Sequence, residues 1–422
     1  MDNTLRFNFI LFSLLTGLIT GAFIVIYWVL TNLFSHLLFF GNPYETIPNL
    51  PVWYVYLVPT VSILIVNYLI SKDGSVKEYG VAEIAKIVEE NKIIFTWKSL
   101  FLKIIASSLS LASGFAVGNE GPSAAIGAMV ANRFHNLFKL PKKLLRVSIS
   151  VGASGGIAAI FVSPITGIMF ALENIAHEFI KDFAGYLILA SVVAFSIAFY
   201  FLEPLIFTYS AGKFIEYKNI YAAILFIPFI TVFIYLYLIL KDKILMFLNK
   251  HLTVRFLKYK NWIFAIIGGG VIGTILQISP YAAFSGHELV DILINNQLHL
   301  AFGVIAGIIV LRIVATAVSI YANAVGGIFI ALMSIGALVG YGYAEFFNML
   351  FSLKVEPFYF AAIGAAVFMG VNMKLPLTAL VVSLEITYDY NVIVPTGIIF
   401  IIVSFLVSLN FEIHKMIFKE KE

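Results

Sequence analysis

Glu120 is the residue whose setting in this sequence most clearly indicates chemistry. It lies in GNEGPSAAIGA, residues 118–128, and it is the only Asp, Glu, Lys or Arg between residues 104 and 132. Pro122 is favoured in the first turn of a helix, and Gly121 lets its N–H group approach a ligand closely. Free N–H groups and the positive dipole end make a helix start an anion site. We therefore expect chloride or Glu120 itself to occupy this site, with the carboxylate acting as a gate that leaves when it is protonated or displaced.

The elements around this carboxylate are predicted to lie in a membrane. The chain has 422 residues, of which 61% are hydrophobic and 12% charged, and its mean hydropathy is +0.98. Soluble domains carry about 25% charged residues. Uncharged runs cover residues 7–44, 46–71, 147–172, 184–202, 221–240, 261–286, 313–344 and 390–411. These runs reach or approach the roughly 20 residues that span a bilayer as a helix, and they are apolar on every face, which excludes a membrane barrel.

An all-α polytopic membrane protein is therefore predicted, with several helices tilted or broken and re-entrant. The first apolar run is too long for a signal peptide and is interpreted as a retained spanning helix. Basic clusters at Lys139–Arg146 and Lys241–Lys260 indicate cytoplasmic loops. The sequence has no cysteine, so disulfides and thiolate metal sites are excluded. We expect a single transmembrane domain over residues 1–422 without a soluble regulatory domain.

An internal duplication organises this domain. Residues 151–175 align without gaps on residues 363–387 and share six identities at an offset of 212, among them Pro164 with Pro376 and Glu173 with Glu385. Upstream, IGA recurs at an offset of 209 (335 − 126). Gly, Ala and Pro patterns also recur by composition, but six identities in one register favour a true repeat. We predict two halves, residues 1–205 and 206–422, forming inverted repeats with the substrate site at their interface.

Three motifs resemble signatures of the CLC family of chloride channels and chloride/proton exchangers. GNEGP resembles the G-K/R-E-G-P signature, whose glutamate is that family's gate. AVGGIFIAL, residues 324–332, resembles G-x-F-x-P, and EYGVAEI, residues 78–84, takes the place of G-S-G-I-P-E. PITGIMFALE and PLTALVVSLE resemble the helices that follow the signatures. The motifs occur in the family's order over nearly the whole membrane region.

The resemblance implies a CLC fold of two inverted repeats with broken helices, of the prokaryotic type that lacks regulatory C-terminal domains. It implies a homodimer in the lipid bilayer of a prokaryotic plasma (inner) membrane, with one pore in each subunit. It implies Glu120 as the gate. The implied anion contacts are Tyr79, Gly80, Val81, Gly121, Ile328 and Phe329. Chloride or another small anion is the expected substrate, without a cofactor, a metal or nucleic acid.

Proton coupling is where the sequence departs from the family. Asn174 stands where proton-coupled members carry an inner glutamate, and an amide cannot titrate. His177 and Glu178 could collect protons instead, while Phe411 and His414 are candidates for the family's inner tyrosine. We therefore expect a glutamate-gated anion pathway with weak or no proton coupling. The alternative is a chloride/proton antiporter with a non-standard inner proton path.

Other interpretations of the same residues stay open. Glu120 could be a buried helix cap, Tyr79 an interfacial aromatic residue, and Glu173 and Glu385 structural groups near helix ends. An intramembrane enzyme is a remote alternative, because no HExxH pattern occurs and GASGG, residues 152–156, lies in a helical repeat rather than at a strand-to-helix turn. A scaffold without transport activity would not need glycines around a carboxylate in the membrane interior.

Overall fold

The computed structural model describes residues 3–77, 96–174, 180–202, 217–250, 260–294, 302–351 and 354–419; the side chains of residues 410–419 are outside this description. Within these ranges the regular structure consists of α-helices and short 3₁₀ turns. The helices of more than one turn are α1 (Asn3–Phe39), α2 (Val52–Lys72), α3 (Trp97–Ala112), α4 (Glu120–Leu137), α5 (Leu145–Phe161), α6 (Pro164–Asn174), α7 (Ile180–Ala198), α8 (Tyr217–Lys250), α9 (Lys260–Ile278), α10 (His287–Ile294), α11 (Phe302–Tyr321), α12 (Phe329–Phe351), α13 (Pro357–Met373), α14 (Pro376–Thr387) and α15 (Ile393–Lys419). The prediction of an all-α polytopic protein is confirmed.

Eight helical segments among the described residues are long and apolar enough to cross a bilayer. Two of them, residues 142–161 and 329–351, are enclosed by the protein: 83% and 89% of their most apolar windows are buried. Both are flanked by shorter helices, α6 with 11 residues and α13 with 17. Helices of this kind give the broken architecture that the long uncharged runs predict.

The duplication is visible in the helix boundaries. Helices α5 and α13 begin at residues 145 and 357 and end at residues 161 and 373, an offset of 212 at both ends. Each is followed by a left-handed residue, Val162 with φ of 50° and Lys374 with φ of 60°, which stops the helix. Pro164 and Pro376 then start the next helices, where a missing N–H group is tolerated. The repeat therefore preserves helix starts and stops as well as residue identities.

Within each repeat, glycines bring two neighbouring helices close together, and the two helix pairs are equivalent. In the first repeat, a Cβ atom on Gly127 of α4 would collide with the carbonyl oxygen of Gly152 in α5, and the reverse is also true. In the second repeat, Gly336 of α12 and Gly364 of α13 have the same reciprocal relation. Backbone approach of this kind is how membrane helices gain packing contacts without a hydrophobic driving force.

The chain forms two compact units. One comprises residues 1–205, 248–286 and 315–331, and the other comprises residues 206–247, 287–314 and 332–422. In the first unit α1 packs on α7, with Gly17 against the carbonyl of Ala190. In the second unit the rings of Phe226, Tyr343 and Phe360 form a cluster with centroids 4.9–5.5 Å apart. The site described next lies within the first unit.

Candidate anion site

Glu120 is the first residue of α4, and its carboxylate lies at the start of α12. The side chain is 1% exposed, and Oε1 accepts a hydrogen bond of 2.5 Å from the backbone N–H of Phe329, the first residue of α12. The first N–H groups of a helix have no partner within the helix and carry the positive end of its dipole. The carboxylate therefore occupies a place where a small anion would find the same donor.

Two glycines make room for this carboxylate. A Cβ atom on Gly118 would collide with Oε2 of Glu120, and one on Gly327 would collide with Oε1. Oε2 is buried and makes no hydrogen bond to the described protein. Gly121 is also constrained, since its Cβ atom would lie 3.3 Å from the Cα and N atoms of Gly327. The glycines of both motifs thus allow the two backbones to enclose the carboxylate closely.

The loops that precede α4 and α12 are bonded to each other. Gly118 donates its N–H to the carbonyl of Gly327 at 2.6 Å, and Gly327 donates to the carbonyl of Gly118 at 2.7 Å. Two further bonds flank this antiparallel bridge. The N–H of Ala116 donates to Ser319 Oγ at 2.9 Å, and the N–H of Val325 donates to Ser110 Oγ at 3.0 Å.

All of these partners are equivalent positions of the duplication. The differences 319 − 110, 325 − 116, 327 − 118 and 329 − 120 each equal 209. Each repeat therefore gives its loop amide to a serine hydroxyl of the other. The exchange is symmetric up to the last position, where Glu120 in one repeat corresponds to Phe329 in the other.

Aromatic side chains surround the start of α12. The ring of Phe329 is fully buried, with its centroid 4.7 Å from that of Phe161 and 5.3 Å from that of Phe170. Phe161 ends α5 and Phe170 lies in α6, so the break between these helices faces the anion site. These rings give the start of α12 apolar surroundings, as ligand pockets commonly have beside a few polar groups.

Two lysines, Lys77 and Lys103, form hydrogen bonds near the loops that precede α4 and α12. Lys77 donates to Asn323 Oδ1 at 2.5 Å, and Asn323 in turn donates to Asn67 Oδ1 at 2.9 Å. Lys103 is 2% exposed and donates to the carbonyl of Val76 at 2.8 Å. The segment that leads toward residues 78–84 is therefore tied to the loop before α12, and positive charge lies beside it.

The structure brings Glu120 against Phe329 and places Gly121 beside Gly327, with Ile328 between Gly327 and Phe329 in the chain. That these residues contact an anion stays a prediction. Tyr79, Gly80 and Val81 lie outside the described residues, and so do His177 and Glu178. Asn174 is the last residue of α6, where its half-buried amide donates to the carbonyl of Phe170 at 3.3 Å. Phe411 and His414 belong to α15, and their side chains are outside the description.

Sequence reasoning missed Ser110, Ser319 and Lys103. The signal for Lys103 was present, because a lysine inside the apolar helix WKSLFLKIIASS requires a buried partner. The serines gave no comparable signal. Ser110 and Ser319 are recognised as equivalent positions only when residues that lie 209 apart are compared one by one.

Comparison with known proteins decides the family. The sequence profile described as "Voltage gated chloride channel" matches residues 58–409, which is most of the chain. The chain belongs to the voltage-gated chloride channel (CLC) family. The resemblance inferred from the three motifs is thereby confirmed, and the chain is a CLC anion transport protein of the membrane.

Similar proteins within the family are exchangers by name. The chain is 26% identical over 405 residues to the H(+)/Cl(-) exchange transporter ClcA of Vibrio cholerae, covering 92% of this chain and 84% of the relative. A slow cyanobacterial Cl⁻/H⁺ antiporter superimposes with a TM-score of 0.81 at 22% identity, covering 94% of this chain and 93% of the other. A CLC-type fluoride/proton antiporter superimposes with a TM-score of 0.76 at 19% identity, covering 96% of both chains. The likeness to these structures confirms the CLC fold of inverted repeats.

Proposed function

We propose that this CLC protein exchanges chloride for protons across the membrane, with Glu120 as the group that serves both ions. The observation that carries the proposal is the bond from the Phe329 N–H to Glu120 Oε1, because it places a titratable anion on an anion-binding donor. Similarity to proteins named as H(+)/Cl(-) exchangers supports the coupled alternative over uncoupled conduction. The expectation of weak or absent coupling from the sequence rests on Asn174 alone.

The proposed cycle needs no cofactor. When Glu120 is ionised, its carboxylate accepts from Phe329 and excludes chloride by competition for the donor and by charge repulsion. When a proton binds, the neutral carboxyl group loses most of its attraction for the helix start, and chloride takes its place. Departure of chloride and release of the proton to the opposite side restore the first state. One carboxylate thus links anion and proton movement.

The roles proposed for the other site residues follow from their positions in the three motifs. Gly121, Ile328 and Phe329 are proposed to offer backbone amides to the anion, and Tyr79, Gly80 and Val81 are proposed to complete the site from outside the described residues. Backbone donors tolerate side-chain changes. At residue 79 the family has a serine whose hydroxyl group faces the anion, and the larger phenol of Tyr79 is proposed to donate one hydrogen bond in its place.

The inner proton route is proposed to be non-standard. Asn174 cannot accept and release a proton at ordinary pH. His177 and Glu178, just beyond α6, are the nearby titratable candidates. Phe411 and His414 stay proposed inner-pathway residues.

The assembly and location are proposed to follow the family pattern. We expect a homodimer in a prokaryotic plasma membrane, in which each subunit carries its own pathway because one chain contains both halves, 1–205 and 206–422, of the duplicated site.

The test is a flux assay with purified protein in liposomes under a chloride gradient, with and without an opposing pH gradient. Exchange predicts that the reversal potential shifts with the pH gradient in a fixed anion-to-proton ratio, and that chloride efflux drives proton uptake. A potential that follows chloride alone would establish uncoupled conduction. Fluoride should be tested beside chloride, since one structural neighbour is named for fluoride. Vesicles that pass potassium but neither anion would contradict the whole proposal.

A further inference from the structure

Ser110 and Ser319 bind the two repeats together at equivalent points close to the anion site. Both hydroxyl groups are fully buried. Ser110 Oγ donates to the carbonyl of Ala106 at 2.8 Å, and Ser319 Oγ donates to the carbonyl of Ala315 at 2.7 Å, each within its own helix. Each oxygen also accepts the N–H of the opposite loop. Each hydroxyl group therefore connects the end of one repeat's helix to the loop of the other.

The loop amides that they bind stand four residues before the site. Ala116 precedes Glu120, and Val325 precedes Phe329, by the same distance along the chain. Between these anchors and the helix starts, the Gly118–Gly327 bridge is the remaining direct backbone link between the loops. Four hydrogen bonds between these loops and helix ends therefore hold the Phe329 N–H relative to the Glu120 carboxylate: two in the glycine bridge, and two that the serine hydroxyl groups accept.

From this geometry we infer that Ser110 and Ser319 are positioning residues of the anion site, setting the alignment of the α4 and α12 starts on which the competition between chloride and Glu120 depends. The inference rests on the proposed function for the identity of the competing ion. It does not require protons to be transported, since anion binding at the same amides needs the same alignment.

A matched control stands on the same helix end. Ser113 is also fully buried, but its hydroxyl group donates to carbonyls of its own chain segment, Leu109 at 2.7 Å and Ser110 at 3.3 Å. Ser113→Ala removes a buried hydroxyl group without releasing a loop amide of the other repeat. If the loss of any buried serine hydroxyl group near the loops weakens chloride binding, Ser113→Ala will show that loss too.

The experiment measures chloride uptake into liposomes, as half-saturation concentration and maximal rate, for wild type, Ser110→Ala, Ser319→Ala and Ser113→Ala. Loss of either hydroxyl group leaves a buried N–H without its acceptor and frees the loop. We expect the half-saturation concentration to rise by about tenfold in both variants, with a smaller change in maximal rate. Ser113→Ala should match wild type, and Ser319→Thr, which keeps a hydroxyl group, should restore the wild-type value.

Calorimetric titration of chloride into the detergent-purified protein measures chloride affinity directly, so the same variants can be compared without transport. Wild-type affinity in both alanine variants would overturn the inference. If the alanine variants do not fold, Ser319→Cys and Ser319→Thr carry the test, because a thiol is a weaker acceptor than a hydroxyl group; equal chloride affinity in these two would also overturn it. A wild-type protein that binds chloride without moving protons would contradict the proposed exchange and leave this comparison intact.

Discussion

The N–H of Phe329 donates to Oε1 of Glu120, so that the first residues of α12 and α4, 209 positions apart, meet within one hydrogen bond. These two residues are equivalents in the duplication, but they have opposite properties. One supplies a backbone N–H donor, and the other supplies the carboxylate that accepts from it. A symmetric backbone frame thus carries an asymmetric pair, as the proposed gate on an anion site requires.

Glu120→Gln should remove both the charge and the titration. The amide oxygen can still accept from Phe329, so the fold is retained, but the amide group cannot bind or release a proton at ordinary pH. We expect chloride flux that no longer varies with pH and proton flux at background level. Parallel recordings of chloride and proton movement in liposomes check this, and wild-type pH dependence in the variant would remove Glu120 from the gate.

Gly327→Ala should disturb the gate through the carboxylate itself. The added methyl group collides with Oε1, so the side chain must leave the Phe329 amide. We expect altered pH dependence and altered chloride flux in Gly327→Ala, and a much smaller effect of the same change on chloride flux in a Glu120→Ala background, where the colliding atoms are gone. Gly307→Ala, on a helix position with nothing within 4 Å, is the control. Additive effects in the double variant would show that the collision is not the cause.

Asn174→Ala should leave the anion-to-proton ratio unchanged. The side chain bonds weakly to its own helix, at 3.3 Å, and carries no titratable proton. The reversal potential under opposed chloride and pH gradients measures this ratio. A clear loss of coupling would mean that the amide orders water on the inner route, and the proposal of a path that bypasses residue 174 would fail.

Gly152→Ala and Gly364→Ala should destabilise the protein similarly. Each added methyl group meets a carbonyl oxygen of the facing helix, at Gly127 or at Gly336, where the helices cannot separate without losing contacts. Overpacking of this kind costs about 1–3 kcal/mol. Thermal unfolding in detergent measures the effect, with Gly185→Ala, which faces open space, as the control that should remain near wild type. Equal stability of all three variants would refute the close-packing account.

Asp73, which follows α2, should make stability depend on acid pH. Burial raises the pKa of its carboxyl group, but hydrogen bonds from Ser75 and Ser99 outweigh this and hold the pKa below its ordinary value. The resulting stability is complete above about pH 4, the value in unfolded chains, and is lost as the pH falls through the lower folded-state pKa.

Asp73→Ala should therefore lower the unfolding temperature at pH 7, and its difference from wild type should shrink toward pH 3. Asp242→Ala provides the comparison, because that carboxylate is 56% exposed and lies 4.0 Å from Lys241, a contact that contributes little. A difference for Asp73→Ala that stays constant from pH 7 to pH 3 would contradict the role of ionisation.

The sequence predicted the helix starts better than the bonds between them. Glu120 among glycines indicated the start of α4, and the two offsets, 209 and 212, reappear in the helix boundaries. The bonds in which Ser110 and Ser319 each accept an N–H from the loop of the other repeat could not be predicted. Buried serines in membrane helices usually bond to the carbonyl four residues earlier, as both of these do, so composition and period do not reveal a second partner. Only the folded chain places the opposite loop within reach.

The bridge between Gly118 and Gly327 has a consequence for synthesis. At about 5–20 residues per second, the ribosome takes about 10–40 s to add the 209 residues between them. During that interval the start of α4 exists without the loop that bonds to it, and the Glu120 carboxylate lacks the Phe329 amide. The pair formed by Glu120 and Phe329 therefore cannot exist until at least 329 of the 422 residues have been made, and until then the first half of the chain carries an acidic side chain without that partner.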